Sequence, residues 1–344
     1  MNKREEMVRQ VSRTFALSIE QLPDALREAV SIAYLMFRVS DGIEDHALMS
    51  PERKISLLES WAAILEDDKD GSTLTEAVRD LDESDPEVEV IQNTPLVLSW
   101  LRELPPAFQE PIIHHVQATS LGMARWQAHG PFVEDEPALD DYMHEVAGRV
   151  GYLVTDLFSL FSPRIQEHKE VLMPLSRECG LALQTVNVIR GICKDYERGW
   201  VFIPQSYLVS VGLSRDTLLE PKANNKALAL VAMLADKADR HLENGLRFVT
   251  TFPRYEHGIR LALMWPFFFA VRTLAISRNN PDVLRSEAKM TRSEVQKIVA
   301  ETKLFGWSNR WLEGYYQQLA AIPAAHPTEP RIQIAARART DNQT

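Results

Sequence analysis

Residues 29–45 read AVSIAYLMFRVSDGIED. The run up to Phe37 is almost entirely apolar, so a helix built from it is buried rather than wet. It ends in Asp41, Glu44 and Asp45, spaced i, i+3 and i+4, which places three carboxylates on one face about a turn apart. In water such neighbours repel by only a few tenths of a kcal/mol per pair, about 0.2–0.5. At the end of a buried helix the cost rises unless a cation sits between them. A hard, oxygen-seeking divalent ion that also holds phosphate suits that position, and Mg²⁺ is such an ion. An acidic helix end facing solvent is the plain alternative for the triplet taken alone.

The helical recurrence extends outward in both directions. Val30, Ala33, Tyr34 and Phe37 share a face, as do Val146, Val150, Leu153, Val154 and Leu157, and again Leu183, Val186, Val188 and Ile189. Alternating β patterns with tight Asn-Gly or Asp-Gly turns are nearly absent. Prolines, Pro23, Pro51, Pro86, Pro111, Pro163 and Pro204 among them, punctuate the pattern into helices of about 12–25 residues. The expectation is one all-α domain over residues 1–326, a helical bundle, followed by a polar, aperiodic tail at 327–344 that reads as disordered. The acidic stretch DLDESDPEVEV (80–90) reads as a solvated surface loop, and Ser12 as the N-cap of the first long helix.

Composition narrows the function. The chain has 344 residues, 45% hydrophobic and 25% charged, with a formal charge of −10. That balance argues against a broad nucleic-acid footprint. Cys179 and Cys193 are the only cysteines, which favours a reducing, cytoplasmic setting. The charged N-terminus reads as no signal peptide. The longest apolar run, LALMWPFFFAVRTLAI (261–276), is interrupted by Pro266 and Arg272 and reads as a buried helix, not a transmembrane segment. Peripheral membrane contact stays open, because an apolar substrate or product has to enter or leave somewhere.

Two further segments carry polar groups on apolar helices. In QTVNVIRGICKDYERGWVFIP (184–204), Gln184, Asn187, Gly191 and Lys194 or Asp195 form a stripe with Arg190 beside it, and GWVFIP reads as an extended exit. Such a stripe suits either a charged ligand head or a polar helix–helix seam. In DYMHEVAGRVG (141–151), Ala147, Gly148 and Gly151 leave room for close packing, while Tyr142 and His144 are able to pass a proton.

In order along the chain, VSRTFALSIEQLPDALREAVSIAYLMFRVSDGIEDH, LGMA (121–124), YMHEVAGRVG (142–151), LQTVNVIR (183–190) with GWVFIP, and WPFFFAVRTLAISRNNPDV (265–283) resemble squalene synthases within the squalene/phytoene synthase family. The resemblance implies an isoprenoid-synthase bundle around a central apolar cavity, with two acidic motifs facing each other at its mouth. It implies condensation of two farnesyl diphosphates to presqualene diphosphate, then NADPH-dependent reduction to squalene. It implies Mg²⁺ on Asp41, Glu44, Asp45 and Asp195. It places diphosphate contacts at Ser12, Arg13, Phe15, Arg38, Gln184, Asn187 and Lys194, and catalytic roles at Tyr142, Asp41, Asp45 and Arg190. Asn279, Asn280, Arg285 and Lys289 match the nicotinamide-cofactor region, although no Gly-rich dinucleotide loop accompanies them. One departure stands out: the family's second acidic motif opens with Asp, where this chain has Gly191, and Lys194 replaces its penultimate acid. The alternatives this leaves are a member performing only the diphosphate-ionising condensation, one using another prenyl donor or acceptor, or a non-catalytic isoprenoid-binding paralogue.

Overall fold

The structure is a computed structural model that describes residues 3–82 and 84–321, the side chain of Arg13 excepted; the 327–344 tail lies outside the described residues. Seventeen α-helices follow one another, with no strand among the described residues. The first seven are α1 (Lys3–Val11), α2 (Arg13–Ile19), α3 (Asp24–Asp45), α4 (Pro51–Glu66), α5 (Ser72–Ala77), α6 (Pro86–Gln92) and α7 (Thr94–Glu103). The next five are α8 (Pro106–His129), α9 (Glu136–Met143), α10 (Arg149–Phe161), α11 (Pro163–Gln166) and α12 (Lys169–Glu197). The last five are α13 (Gln205–Ser210), α14 (Asn224–Thr251), α15 (His257–Ser277), α16 (Arg292–Phe305) and α17 (Asn309–Ala321).

Helix α12 is the hub, packed on α14, α10 and α15, while α3 and α4 both lie on α8. Glycines permit the tightest of these approaches. A Cβ on Gly151 of α10 would stand 2.3 Å from the Ser176 carbonyl oxygen of α12, and one on Gly180 of α12 would stand 2.5 Å from the Ala147 carbonyl. The small residues at 147–151 therefore serve helix packing. They lie at or beside a π-helical turn, His144–Gly148, that joins α9 to α10; such turns re-aim the side chains that follow.

Helix α15 has the length and composition to cross a membrane, yet it lies inside the bundle, with Trp265, Phe267 and Phe268 essentially inaccessible. Its Arg272 is tied to Glu294 at 2.6 Å. Proline marks helix starts at Pro51, Pro86 and Pro163, whose missing N–H is no loss there. Pro111 behaves differently: it lies inside α8 instead of ending a helix.

Two other expectations are revised. Ser12 does cap a helix, accepting from the Phe15 N–H at 3.2 Å, but that helix is the seven-residue α2, and the long α3 starts only after Pro23. The acidic 80–90 stretch is not simply a solvated loop. Asp85 caps α6 by accepting from the Glu87 N–H, and Val88 and Val90 are buried. The helix starts have local signals, Pro23 before α3 and the Asp85–Pro86 pair at α6, whereas the burial of Val88 and Val90 depends on the helices alongside.

Candidate active site

The end of α3 is where the charges gather. Gly42 lets α6 come in close, since a Cβ there would meet Ile91 at 3.2 Å and Glu87 at 3.4 Å. That approach sets Glu87 against Arg38, whose other terminal nitrogen donates to Asp41 Oδ2 at 3.0 Å. The Arg38 Nε is buried without a hydrogen-bond partner. Burial, with the charges of Asp45 and Glu87 against the pull of Arg38, pushes the Asp41 carboxyl up to about 6. Glu44 is buried beside it and is pushed well up by burial and by Asp45 and Asp41. The buried Lys54 ammonium donates to the Glu44 backbone carbonyl at 2.6 Å, closing off that end of the helix.

Helix α12 brings the second set of groups. Asn187 donates to Gln184 at 3.3 Å one turn away, and the Arg190 Nε is a second buried guanidinium nitrogen without a partner. Asp195 follows, its carboxyl raised by burial and partly held back by Arg198. The helix then stops in a Schellman turn: the Gly199 N–H bonds the Tyr196 carbonyl at 2.9 Å, and the Trp200 N–H bonds the Asp195 carbonyl at 2.8 Å. Gly199 supplies the left-handed backbone this requires, with φ of 82°. The turn leaves Arg198 at the cap, where its guanidinium pairs with Asp195 of its own helix and with Asp45 of α3. The two acidic motifs thus face each other across one arginine.

Past the turn, 199–204 runs extended beside 131–134, with the Gln205 N–H on the Val133 carbonyl at 2.7 Å. This aims Trp200 and Phe202 inward. Phe202 stacks on Tyr142 with ring centroids 4.4 Å apart, Trp200 stacks on Phe202 at 5.4 Å, and Trp126 meets Tyr142 edge-on at 5.6 Å. Tyr142 is buried, and burial together with the charges of Glu44, Asp45 and Asp195 holds its phenol far above the ordinary range. It is therefore a proton-bearing hydroxyl, not a resident phenolate. The pocket beside it is lined by Val188, Ile192, Asp195, Trp200, Phe202 and Leu218 among others, and holds little more than a water because the stacked rings fill it. The implied apolar chamber is narrow here.

The remaining sequence candidates distribute as follows. Phe15 faces Tyr34 at 5.6 Å, and Tyr34 lies within electrostatic reach of Arg38 and Asp41, which joins α2 to the site. The side chain of Arg13 lies outside the described part of the structure. Lys194 is held by Glu287 at 2.9 Å, with Asp195 still within electrostatic reach. Glu287 also takes Lys289, at 2.5 Å, so the 279–289 segment abuts the end of α12. Burial would raise the Glu287 carboxyl, but these two lysines bring it down to about 2. Asn280 uses its side chain structurally, accepting from the Asp282 N–H and donating to the Ile276 carbonyl. Asn279 takes a left-handed conformation at the turn, and Arg285 is exposed. His144 lines a separate polar pocket with Glu136, Asp140, Asp141 and Arg177.

The donor set decides how metal can fit. Asp41, Glu44 and Asp45 are hard oxygen ligands, but among the described residues no three carboxylate, imidazole or thiol groups converge into a cage. That suits Mg²⁺ held by one or two carboxylates and completed by water and substrate phosphate. The second motif fits less well, because Gly191 and Lys194 leave Asp195 as its single carboxylate, and Arg198 already pairs with it. Sequence reasoning missed Glu87 and Arg198. The Asp195–Arg198 spacing of three and the following Gly199 were signals for the latter; nothing local signals Glu87.

Residues 8–294 match the family model for squalene/phytoene synthase. Lycopaoctaene synthase of Botryococcus braunii is 30% identical over 304 residues, covering 86% of this chain and 65% of that protein. Squalene synthase of Homo sapiens is 25% identical over 338 residues, covering 97% of this chain and 77% of that protein. The chain thus spans about two thirds of the length of the former. A solved complex of TcSQS with the ligand E5700 superimposes with a TM-score of 0.80 at 24% identity, over 94% of this chain and 92% of that one. A dehydrosqualene synthase crystal structure gives 0.61 at 20% identity, over 91% of this chain and 96% of that one. With the paired acidic motifs of α3 and α12 and a match over most of its length, the chain belongs to the squalene/phytoene synthase family.

Proposed function

We propose that this chain is a prenyltransferase that joins two farnesyl diphosphates head to head into presqualene diphosphate and reduces the product to squalene with NADPH. The observation that carries this reading is the meeting of the two acidic motifs, Asp45 of α3 and Asp195 of α12 joined through Arg198, with the buried Arg38 Nε left without a partner among the described residues and the Tyr142–Phe202 stack past the end of α12. Buried N–H groups without partners call for an anion, and a diphosphate offers oxygens to several at once. Arg38 and Arg190 would bind and orient the leaving diphosphate as fixed positive charge. The Phe202, Trp200 and Trp126 rings would exclude water from an allylic cation. Tyr142, still protonated, would hold or pass a proton at its hydroxyl next to that wall. Mg²⁺, where bound through one or two of Asp41, Glu44 and Asp45, would supply Lewis-acid neutralisation of the departing charge. Arg285 is exposed beside α12 and would meet nucleotide phosphates, joined by Lys289 if it leaves Glu287; Asn280 supports their turn.

The test is product analysis with labelled farnesyl diphosphate and Mg²⁺, with and without NADPH. Squalene that forms only with NADPH supports the full reading. Diphosphate release without squalene would reduce it to the ionising condensation, and binding without turnover would refute enzymatic function.

A further inference from the structure

The cation that spans the two acidic motifs belongs to the chain itself. Arg198 contacts Asp45 at the end of α3 and Asp195 near the end of α12, while Glu44 and Asp41 lie alongside. We propose that Arg198 is a resident cation standing where a divalent ion would otherwise bridge the motifs, so that the site loads fewer ions per diphosphate and offers the guanidinium to the diphosphate directly. The proposal deepens the diphosphate-binding reading above and rests on it.

Three independent features converge on this. The first is charge: with Gly191 and Lys194 in the second motif, Asp195 is the single acid there, and Lys194 is taken up by Glu287. One carboxylate from each helix is matched by one guanidinium, which can fork to both. The second is placement. The Schellman turn fixes Arg198 at the helix cap, where a cation also meets the negative end of the α12 dipole. The arm to Asp195 is sheltered, with that side chain only 14% exposed, while the arm to Asp45 reaches a carboxylate that is 51% exposed. The third is space. The three atoms nearest to a Cβ at position 191 all belong to the Asp195 carboxylate end, Oδ2 at 3.0 Å, so an acid at 191 would sit beside Asp195 and share it with Arg198. An extra carboxylate at 191 and Arg198 in its present position are alternative solutions to one charge problem.

The experiment uses Mn²⁺ as a spin-active stand-in and inorganic pyrophosphate as the anion, with the full chain. Free and bound Mn²⁺ are counted by electron paramagnetic resonance, and pyrophosphate binding by calorimetry at low and high metal. Arg198→Gln should bind Mn²⁺ at least tenfold more tightly than wild type, or bind one ion more, and should bind pyrophosphate at least tenfold more weakly at low metal. Arg198→Lys keeps the charge without the fork and should keep Mn²⁺ affinity within threefold of wild type. Unchanged or weaker Mn²⁺ binding in Arg198→Gln overturns the proposal. So does a tenfold gain in Arg198→Lys, a comparison that stands even if the glutamine variant does not fold. A wild-type protein that ignores pyrophosphate at every metal concentration would instead sink the diphosphate reading, while the Mn²⁺ comparison still judges Arg198.

Discussion

Asp41→Asn should make the free protein more stable at pH 8, although it removes a residue on which the proposed chemistry depends. The Asp41 carboxyl lies between Arg38, Asp45 and Glu87, and its pKa stands at about 6 against an ordinary 3.8. The ionised form is therefore penalised by about 3 kcal/mol at most, taking 1.36 kcal/mol per tenfold change. Since 31% of the side chain meets solvent, screening brings the working figure to about 1–2 kcal/mol. The sign follows from proton linkage. Between about pH 4 and pH 6 the folded protein holds a proton on Asp41 that the unfolded chain has released, so this group's contribution to stability falls as pH rises through that window. Asparagine resembles the protonated acid and carries no such slope, while Arg38 keeps Glu87 as a partner.

Urea titrations of both proteins at 25 °C and fixed ionic strength, from pH 4 to pH 8, read the effect as a difference that cancels the titrating groups Asp41 does not touch; Glu44, which Asp41 pushes up, relaxes in the variant and adds to the difference with the same sign. The two proteins should match near pH 4, and the variant should lead by about 1–2 kcal/mol at pH 8, or roughly 1.5–3 °C in Tm. A variant less stable than wild type at pH 8, or a difference that does not change with pH, would refute the argument. The gain should come with lost diphosphate release, as expected where a site holds like charges together for function.

Arg190→Ala should weaken pyrophosphate binding by about 10- to 100-fold, the worth of hydrogen bonds to a charged group, with little change in urea midpoint because its Nε has no partner to lose. Gly151→Ala should cost about 3 kcal/mol or more, read as a fall in the urea midpoint, since the new methyl would collide with backbone of α12. Tyr142→Phe should leave the Phe202 stack and the fold in place while slowing product formation by about 10²–10⁴ if the hydroxyl moves a proton, and normal turnover would rule that role out. Gly191→Asp with Lys194→Glu should raise Mn²⁺ affinity only weakly while Arg198 is present, and strongly once Arg198→Gln is added; equal gains in both backgrounds would contradict competition for one position.

The helices and both polar stripes could be read because each is written in short-range periodicity. The face that buries Ile32, Leu35, Met36 and Val39 also fixes where Asp41, Glu44 and Asp45 emerge. The same logic located Gln184 through Asp195 on α12 and the extended exit after it. What stayed hidden depends on approach between distant segments. Glu87 reaches Arg38 because Gly42 admits α6, and residues 49 positions apart carry no mutual signal in one sequence. Pro111 fails as a stop because α8 continues through it, packed along α4. That Lys194 pairs with Glu287, 93 positions further along the chain, carries no local signal either.

The difference bears on how binding would work. Arg38 and Arg198 are already engaged by carboxylates, whereas Arg190 has no partner among its neighbours. A diphosphate arriving here would exchange arginine–carboxylate pairs for arginine–phosphate pairs, so its net gain from Arg38 and Arg198 is a difference between two strong interactions. The displaced Asp41, Glu87 and Asp195 carboxylates, raised by burial, then need either a proton or a metal ion. Ion uptake and diphosphate binding are for that reason coupled through the same few side chains. A change at Arg198 should move both together, in opposite directions at low metal, while a change at Arg190 should move diphosphate binding alone.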